Sequence, residues 1–328
     1  MIRFFRGTGI GPVLVMTLFA GALWGQYFIS PPQLVPASGG DAMPLWDLIF
    51  DPLSGFPLLA VFLSAVLMVI TVFVMIRFNT TVFFIQKRTY FPALFFILYF
   101  SAFPDGMILN PAMPAALLIM VGIWRMMAAY RMNGMAFNFF DAALIISSAG
   151  MFYAGALWFV LLVLTGALIL RTPDFREITV TVAGALLPWI ILYAIWYLTG
   201  STMSDLTEVI KHNLFDRMPS VSLSRALIIL LIVIAVGFLP ALLSLIREMP
   251  TMKIKSRKTF ELLLWMIVIC AAAYAITPSV SLEIIAIAAI PVSFIMANYC
   301  AFTRRLVIAE ILFWLMVVMI GVARLWPN

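Results

Sequence analysis

Eleven apolar stretches, joined by short loops, make up nearly all of this 328-residue chain. A bilayer core of about 30 Å takes roughly 20 apolar residues per helix, and about 15 to 17 where the helix is partly buried. On that rule the spans cover residues 10–29, 56–76, 89–103, 111–127, 139–152, 155–170, 178–197, 225–246, 260–277, 283–302 and 306–322. The pattern predicts an all-α polytopic membrane helix bundle of about eleven transmembrane helices, forming a single integral membrane domain. Residues 139–170 are nearly unbroken and apolar, too long for one ordinary span. Gly150 and Gly155 sit where a tight reversal has to fall, so the segment divides there.

A mean hydropathy of +1.13, with 65% apolar and 10% charged residues, lies far outside soluble domains. The longest loops, 30–55 and 200–224, are too short to bury a core of their own. The formal charge of +6 comes from basic residues scattered in twos and threes at span ends, which argues against nucleic acid as a partner. Cys270 and Cys300 both lie inside apolar runs, so neither a disulfide framework nor a metal cluster is indicated. The opening MIRFFRGTG resembles a signal peptide, but its apolar run continues to about Ile29 with no A-x-A-like cleavage site. It reads as an uncleaved first span.

Charge asymmetry sets the orientation. With the N-terminus cytoplasmic, sixteen of the twenty basic residues fall in inner loops, and only Lys211, Arg217, Arg225 and Arg324 lie outside. Merging 139–170 into one helix would invert every later span and place Arg247, Lys253, Lys255, Arg257 and Lys258 outside. The positive-inside rule therefore favours both the split and a C-terminus outside.

Acidic residues lean outward: Asp41, Asp47, Asp51, Asp105, Asp205, Glu208, Asp216 and Glu283, against Asp174, Glu177, Glu248 and Glu261 inside. In the first outer loop, MPLWDLIF (43–50) predicts a short interfacial helix with Leu45, Leu48 and Ile49 on one face. The loop holds no basic residue beside its three carboxylates, Asp41, Asp47 and Asp51. They can act as a general base or contact a divalent cation, or simply be solvated, one of them capping the helix. Asp105, in FPDGMILNP, is a second outer carboxylate, although Pro-Asp-Gly is also ordinary turn chemistry.

The loop STMSDLTEVIKHNLFDRMPSVS predicts a second interfacial helix over 204–215, starting at Ser204-Asp205. Leu206, Val209, Ile210 and Leu214 lie opposite Glu208, Lys211 and the sole histidine, His212. Lys211, His212, Arg217 and Arg225 suit a lipid phosphate, or anchor the helix among headgroups. Asp141 and Glu310 lie inside apolar runs and are functional candidates as intramembrane polar groups. Both are near span ends, where a helix dipole or Arg305 can account for them. No G-x-S-x-G, H-E-x-x-H, Walker A or C-x-x-C occurs, and no metal site is assigned.

The stretch from QKRTYFPALFFILYFSAFPDGMILNP through FNFFDAALIISSAGMFYAGALWFVLLVLTGALILRTPDFREITVTVAGALLPWIILYAIWYL (about residues 86–200) resembles a family of bacterial multi-pass inner-membrane proteins of unknown function. Members of that family resemble in turn the GT-C fold of glycosyltransferases, which use polyprenyl-phosphate sugar donors. The likeness implies a GT-C-like core of seven spans in residues 1–200. An outer amphipathic helix and four further spans then fill 201–328. It also implies an acidic catalytic residue in the first outer loop, with Asp41, Asp47 and Asp51 all open. That loop is shorter here than in the GT-C fold, and no large outer acceptor-binding domain follows.

The leading expectation is thus a GT-C-like transferase handling a polyprenyl-phosphate-linked glycan at the outer face. A non-catalytic subunit scaffolding an envelope secretion or surface-polymer export complex is the alternative. A lipid or small-molecule transporter ranks third, because no span carries a charge near its centre and no internal repeat is present.

Overall fold

The structure is a computed structural model describing residues 2–7, 9–32, 42–103, 107–130, 136–170, 174–200, 202–216, 225–303 and 306–325. Among them every regular element is helical, and no strand occurs. The helices are α1 (Ile2–Phe5), α2 (Ile10–Ile29), α3 (Pro44–Leu53), α4 (Pro57–Val82), α5 (Phe91–Phe100), α6 (Ala112–Ala128) and α7 (Ala136–Ala149). There follow α8 (Val160–Leu170), α9 (Phe175–Leu198), α10 (Met203–Lys211), α11 (Arg225–Glu248), α12 (Ile254–Ile276), α13 (Ile285–Phe302) and α14 (Leu306–Leu325). Among the described residues six helical segments, 10–29, 57–82, 175–198, 227–251, 254–276 and 282–302, are long and apolar enough to cross a membrane. Four of the other apolar stretches form helices of 10 to 17 residues, and the last forms the 20-residue α14.

The centre of the bundle is α5 against α13, with α4, α6, α11 and α12 around them. All ten side chains of α5 are buried, so this helix meets no lipid. Its length also corrects the 15-residue span expected at 89–103. At about 1.5 Å per residue, ten residues cover only half of a bilayer core. Irregular backbone beyond its ends is tolerated at membrane depth when protein surrounds it.

Packing also moves helix ends outward from the apolar limits. Helix α4 runs six residues past the expected end at 76, because Phe78, Asn79 and Val82 are buried. It stops at Phe83, whose left-handed backbone (φ 53°) ends the helix. Phe78, Phe84, Phe260 and Phe294 then interlock, with ring centroids 5.1 to 5.7 Å apart. Helix α12 likewise begins at Ile254 rather than 260, burying Ser256 and Thr259.

The apolar segment 139–170 is two helices. Helix α7 ends at Ala149 and turns back through 150–153, and a 3-10 turn, Ala154–Phe159, leads into α8. The glycines expected at the reversal both sit in close contact with neighbouring side chains. A β-carbon on Gly150 would lie 2.6 Å from the Leu157 side chain, and one on Gly155 2.7 Å from the Tyr153 ring. Helix α7 packs between α6 and α9. At the α9 contact a β-carbon on Gly184 would fall 2.5 Å from the Phe140 carbonyl oxygen. Small residues admit this approach between membrane helices, where close van der Waals packing drives association.

Cations gather at one end and serve as caps. Arg6 donates to the carbonyls of Cys300 (3.0 Å) and Thr303 (2.8 Å), and Lys87 donates to Ala301 (2.9 Å). These cover the last turn of α13, where carbonyls lack helical partners and the helix dipole favours positive charge. Lys258 does the same for α8 through the Leu170 carbonyl (2.7 Å).

Candidate functional site

The opposite end is built from the segments that carry most of the acidic residues expected on the outer side. Helix α3 starts with Pro44 in its first turn, a position where the missing N–H costs nothing. The Leu45 N–H donates to the Met151 carbonyl at 3.2 Å, tying α3 to the α7–α8 reversal. The face of α3 turned inward carries Trp46 and Leu53. Leu48, on the apolar face expected to lie in the membrane interface, is 72% exposed. The short helix forms where expected.

Helix α10 packs against the same reversal, through Met151. Its start lies earlier than Ser204-Asp205 suggests, with the Thr202 N–H donating to the Asp205 carboxylate at 3.0 Å. Hydrogen bonds from the Thr202 side chain and backbone hold the Asp205 carboxyl below its ordinary range. Leu206 is fully buried and packs with Met151 and Leu192, with Leu45 and Ile210 against the same cluster. The two surface helices therefore meet over Met151. Beyond Lys211 the chain makes one π-helical turn, His212–Asp216. Asn213 is buried there and donates from Nδ2 to the Val209 carbonyl at 2.9 Å.

The segment between α12 and α13 completes the end. Trp158 Nε1 donates to Thr277 Oγ1 at 2.8 Å, and Ser279 Oγ donates to the Leu214 carbonyl at 2.9 Å. Ser281 Oγ accepts from the Glu283 N–H at 3.4 Å. Between these segments lies a cavity of about 20 Å³, lined by Trp46, Phe152, Tyr153, Asn213, Ser279, Ser281 and Glu283, among others. Among the described residues Glu283 is the one charged side chain in the lining.

Asp47 is half-buried and Asp51 exposed on α3, and neither lines this cavity. Asp41, Asp105 and Arg217 lie outside the described residues. Lys211 and Arg225 are exposed, and His212 is half-buried in the π turn. Asp141 accepts from Arg125 Nε (2.8 Å) and Nη2 (2.6 Å), an ion pair joining α6 to α7 near the cation-rich end. Glu310 is half-buried on α14, in an open groove with Val307, Ile311, Trp314, Leu315 and Val318. Among the described residues no group of three or more His, Cys, Asp or Glu side chains gathers as a metal site.

Sequence reasoning counts Glu283 only as an outward acid and passes over Asn213, Ser279 and Ser281. The signal is the alternation of polar residues in Ser279-Val280-Ser281-Leu282-Glu283, at the threshold of an apolar helix.

Long apolar helices packed side by side, with polar loops gathered at their ends, define an all-α membrane protein. A family model described as "Family of unknown function (DUF6427)" matches residues 52–324, and the chain belongs to this family. No curated protein and no solved structure matches the chain.

Proposed function

We propose that the chain is an eleven-span protein of a bacterial inner membrane, with its N-terminus cytoplasmic and its C-terminus outside. In this reading the α3–α10 end faces outward and handles a polyprenyl-phosphate-linked glycan in the manner of a GT-C transferase. An aspartate among Asp41, Asp47, Asp51 and Asp105 acts as base toward the acceptor, with or without a divalent cation. Lys211, His212, Arg217 and Arg225 hold the lipid phosphate. The observation that carries the reading is the meeting of the two surface helices over Met151. It joins the loop bearing the aspartates to the loop bearing the cations, at the end opposite the Arg6, Lys87 and Lys258 caps.

The test replaces Asp41, Asp47 and Asp51 together with Asn in cells and assays envelope glycans. The reading expects their loss at normal protein level. Unchanged glycans overturn the catalytic role of the first-loop aspartates, and unchanged glycans on further replacement of Asp105 overturn it for all four.

One observation favours a non-catalytic subunit of an envelope assembly. Broad apolar faces stay uncovered on α9, α11 and α14, where Ile190, Leu239 and Ile311 are all more than half exposed. Lipid covers such faces in a lone protein, and partner helices cover them in a complex. Co-purification of a stoichiometric membrane partner, together with tolerance of the aspartate substitutions, decides for this second reading.

A further inference from the structure

We propose that the crevice lined by Tyr99, between α5, α11, α13 and α14, binds the carbonyl oxygen of a slim, membrane-dissolved molecule. Three observations argue for this. The first is an orphaned polar group. Tyr99 is only 3% exposed. Its ring stacks on Phe95, but among the described residues its hydroxyl has no hydrogen-bond partner. Buried polar groups are nearly always paired, and one left over is costly.

The second is space. The crevice holds about 10 Å³, the lower limit for one water-sized group. Gly237 of α11 lines it and is buried, yet a β-carbon there would meet nothing within 4 Å. Val233 and Leu312 in the lining are only half-buried, and their neighbours Ile232 and Ile311 are more than half exposed. The crevice therefore opens on the apolar outer surface of the bundle, which lipid reaches.

The third is the chemistry of the lining. Apart from Tyr99 every lining side chain is apolar, Met296 and Phe313 among them. A water needs about two to four polar partners and finds one. A carboxylate or phosphate would lose its hydration with no cation to meet it. The phenol O–H is a donor. A carbonyl oxygen accepts it and brings no hydrogen of its own to leave unpaired. Its hydrocarbon body then lies along α11 and α14. The carbonyl belongs either to a free molecule such as a ketone or to the ester linkage of a membrane lipid.

The full chain, purified in detergent, is heated with methyl heptyl ketone or with nonane at equal concentration. The ketone is expected to raise the melting temperature saturably, with an apparent affinity at least about tenfold above nonane. Tyr99→Phe deletes an unpaired hydroxyl, so it should melt no lower than the parent and lose the ketone preference. Gly237→Ala sets a methyl group in the crevice and should lose that preference too. If Tyr99→Phe does not fold, the parent and Gly237→Ala still decide. Nanodiscs of ester-linked or ether-linked phosphatidylcholine with the same chains separate the sources. A lipid source predicts that the parent, unlike Tyr99→Phe, melts higher in the ester-linked discs, and a free ketone predicts equal melting in both. Equal shifts with ketone and nonane on the parent overturn the proposal. So does a ketone preference that survives in folded Tyr99→Phe or Gly237→Ala. The triple aspartate variant should keep its ketone response, so failure of the transferase reading leaves this one standing.

Discussion

Lys258 at the start of α12 donates to the carbonyl of Leu170 on the neighbouring α8, 88 positions earlier, at 2.7 Å. The same ammonium lies 5.9 Å from the Tyr130 ring centroid. One cation thus caps α8, fixes the register of α12 against it, and covers an aromatic face. A charged hydrogen bond of this kind contributes about 1.5 to 3 kcal/mol. Lys258→Met, which keeps the stem, should lower stability by that order in a reversible detergent unfolding assay. A change within error would mean that the cap is idle.

Gly184 has no such substitute. Any side chain there meets the Phe140 backbone, which cannot rotate away as a side chain can. Gly184→Val should push α9 from α7 and cost about 1 to 3 kcal/mol. Gly21→Val on α2, where nothing lies within 4 Å of the added carbon, is the control. Equal melting of the two variants would contradict the close α7–α9 contact.

The Arg125–Asp141 pair, at 2.6 Å, has side chains 48% and 35% exposed. Solvent screening limits such a pair to about 1 kcal/mol or less. Asp141→Asn should therefore melt close to the parent. It should also keep whatever activity the protein has, since the ion pair accounts for this carboxylate. Loss of activity at unchanged melting would restore Asp141 as a functional group.

Asp205 makes the start of α10 sensitive to acid. Its carboxyl titrates lower in the fold than in the unfolded chain. The cap is therefore at full strength above the unfolded value, about 3.9. It is lost as pH falls through the lowered folded value. Protection factors for amides 203–206, measured across pH, should hold at neutral pH and drop only in strong acid. Asp205→Asn should lack that acid step, and a parent without it would show that the carboxylate does not cap the helix.

Apolar run length made the helices legible: α2 falls on its expected limits, and the 139–170 run divides where two glycines allow it. Run length could not show that α5 would be wholly enclosed. That depends on which neighbours cover it, and the composition FPALFFILYF suits lipid and protein alike. It also missed the helical turns past 76 and before 260, where Asn79 and Ser256 break the apolar pattern yet are buried by tertiary packing. The cavity was harder to foresee. Trp46, Tyr153, Asn213 and Glu283 come from four separate segments, and no spacing in one sequence links them.

Whether the aspartate loop and the cation loop share a side of the membrane decides the proposed function. The direct measurement is impermeant thiol labelling of intact cells carrying single cysteines, in a chain lacking Cys270 and Cys300. Asp41→Cys and Lys211→Cys should both react from outside, and Lys253→Cys only after permeabilisation. Lys253→Cys reacting from outside, or Lys211→Cys protected while Asp41→Cys reacts, would place the α3 and α10 loops on opposite sides and contradict the proposal.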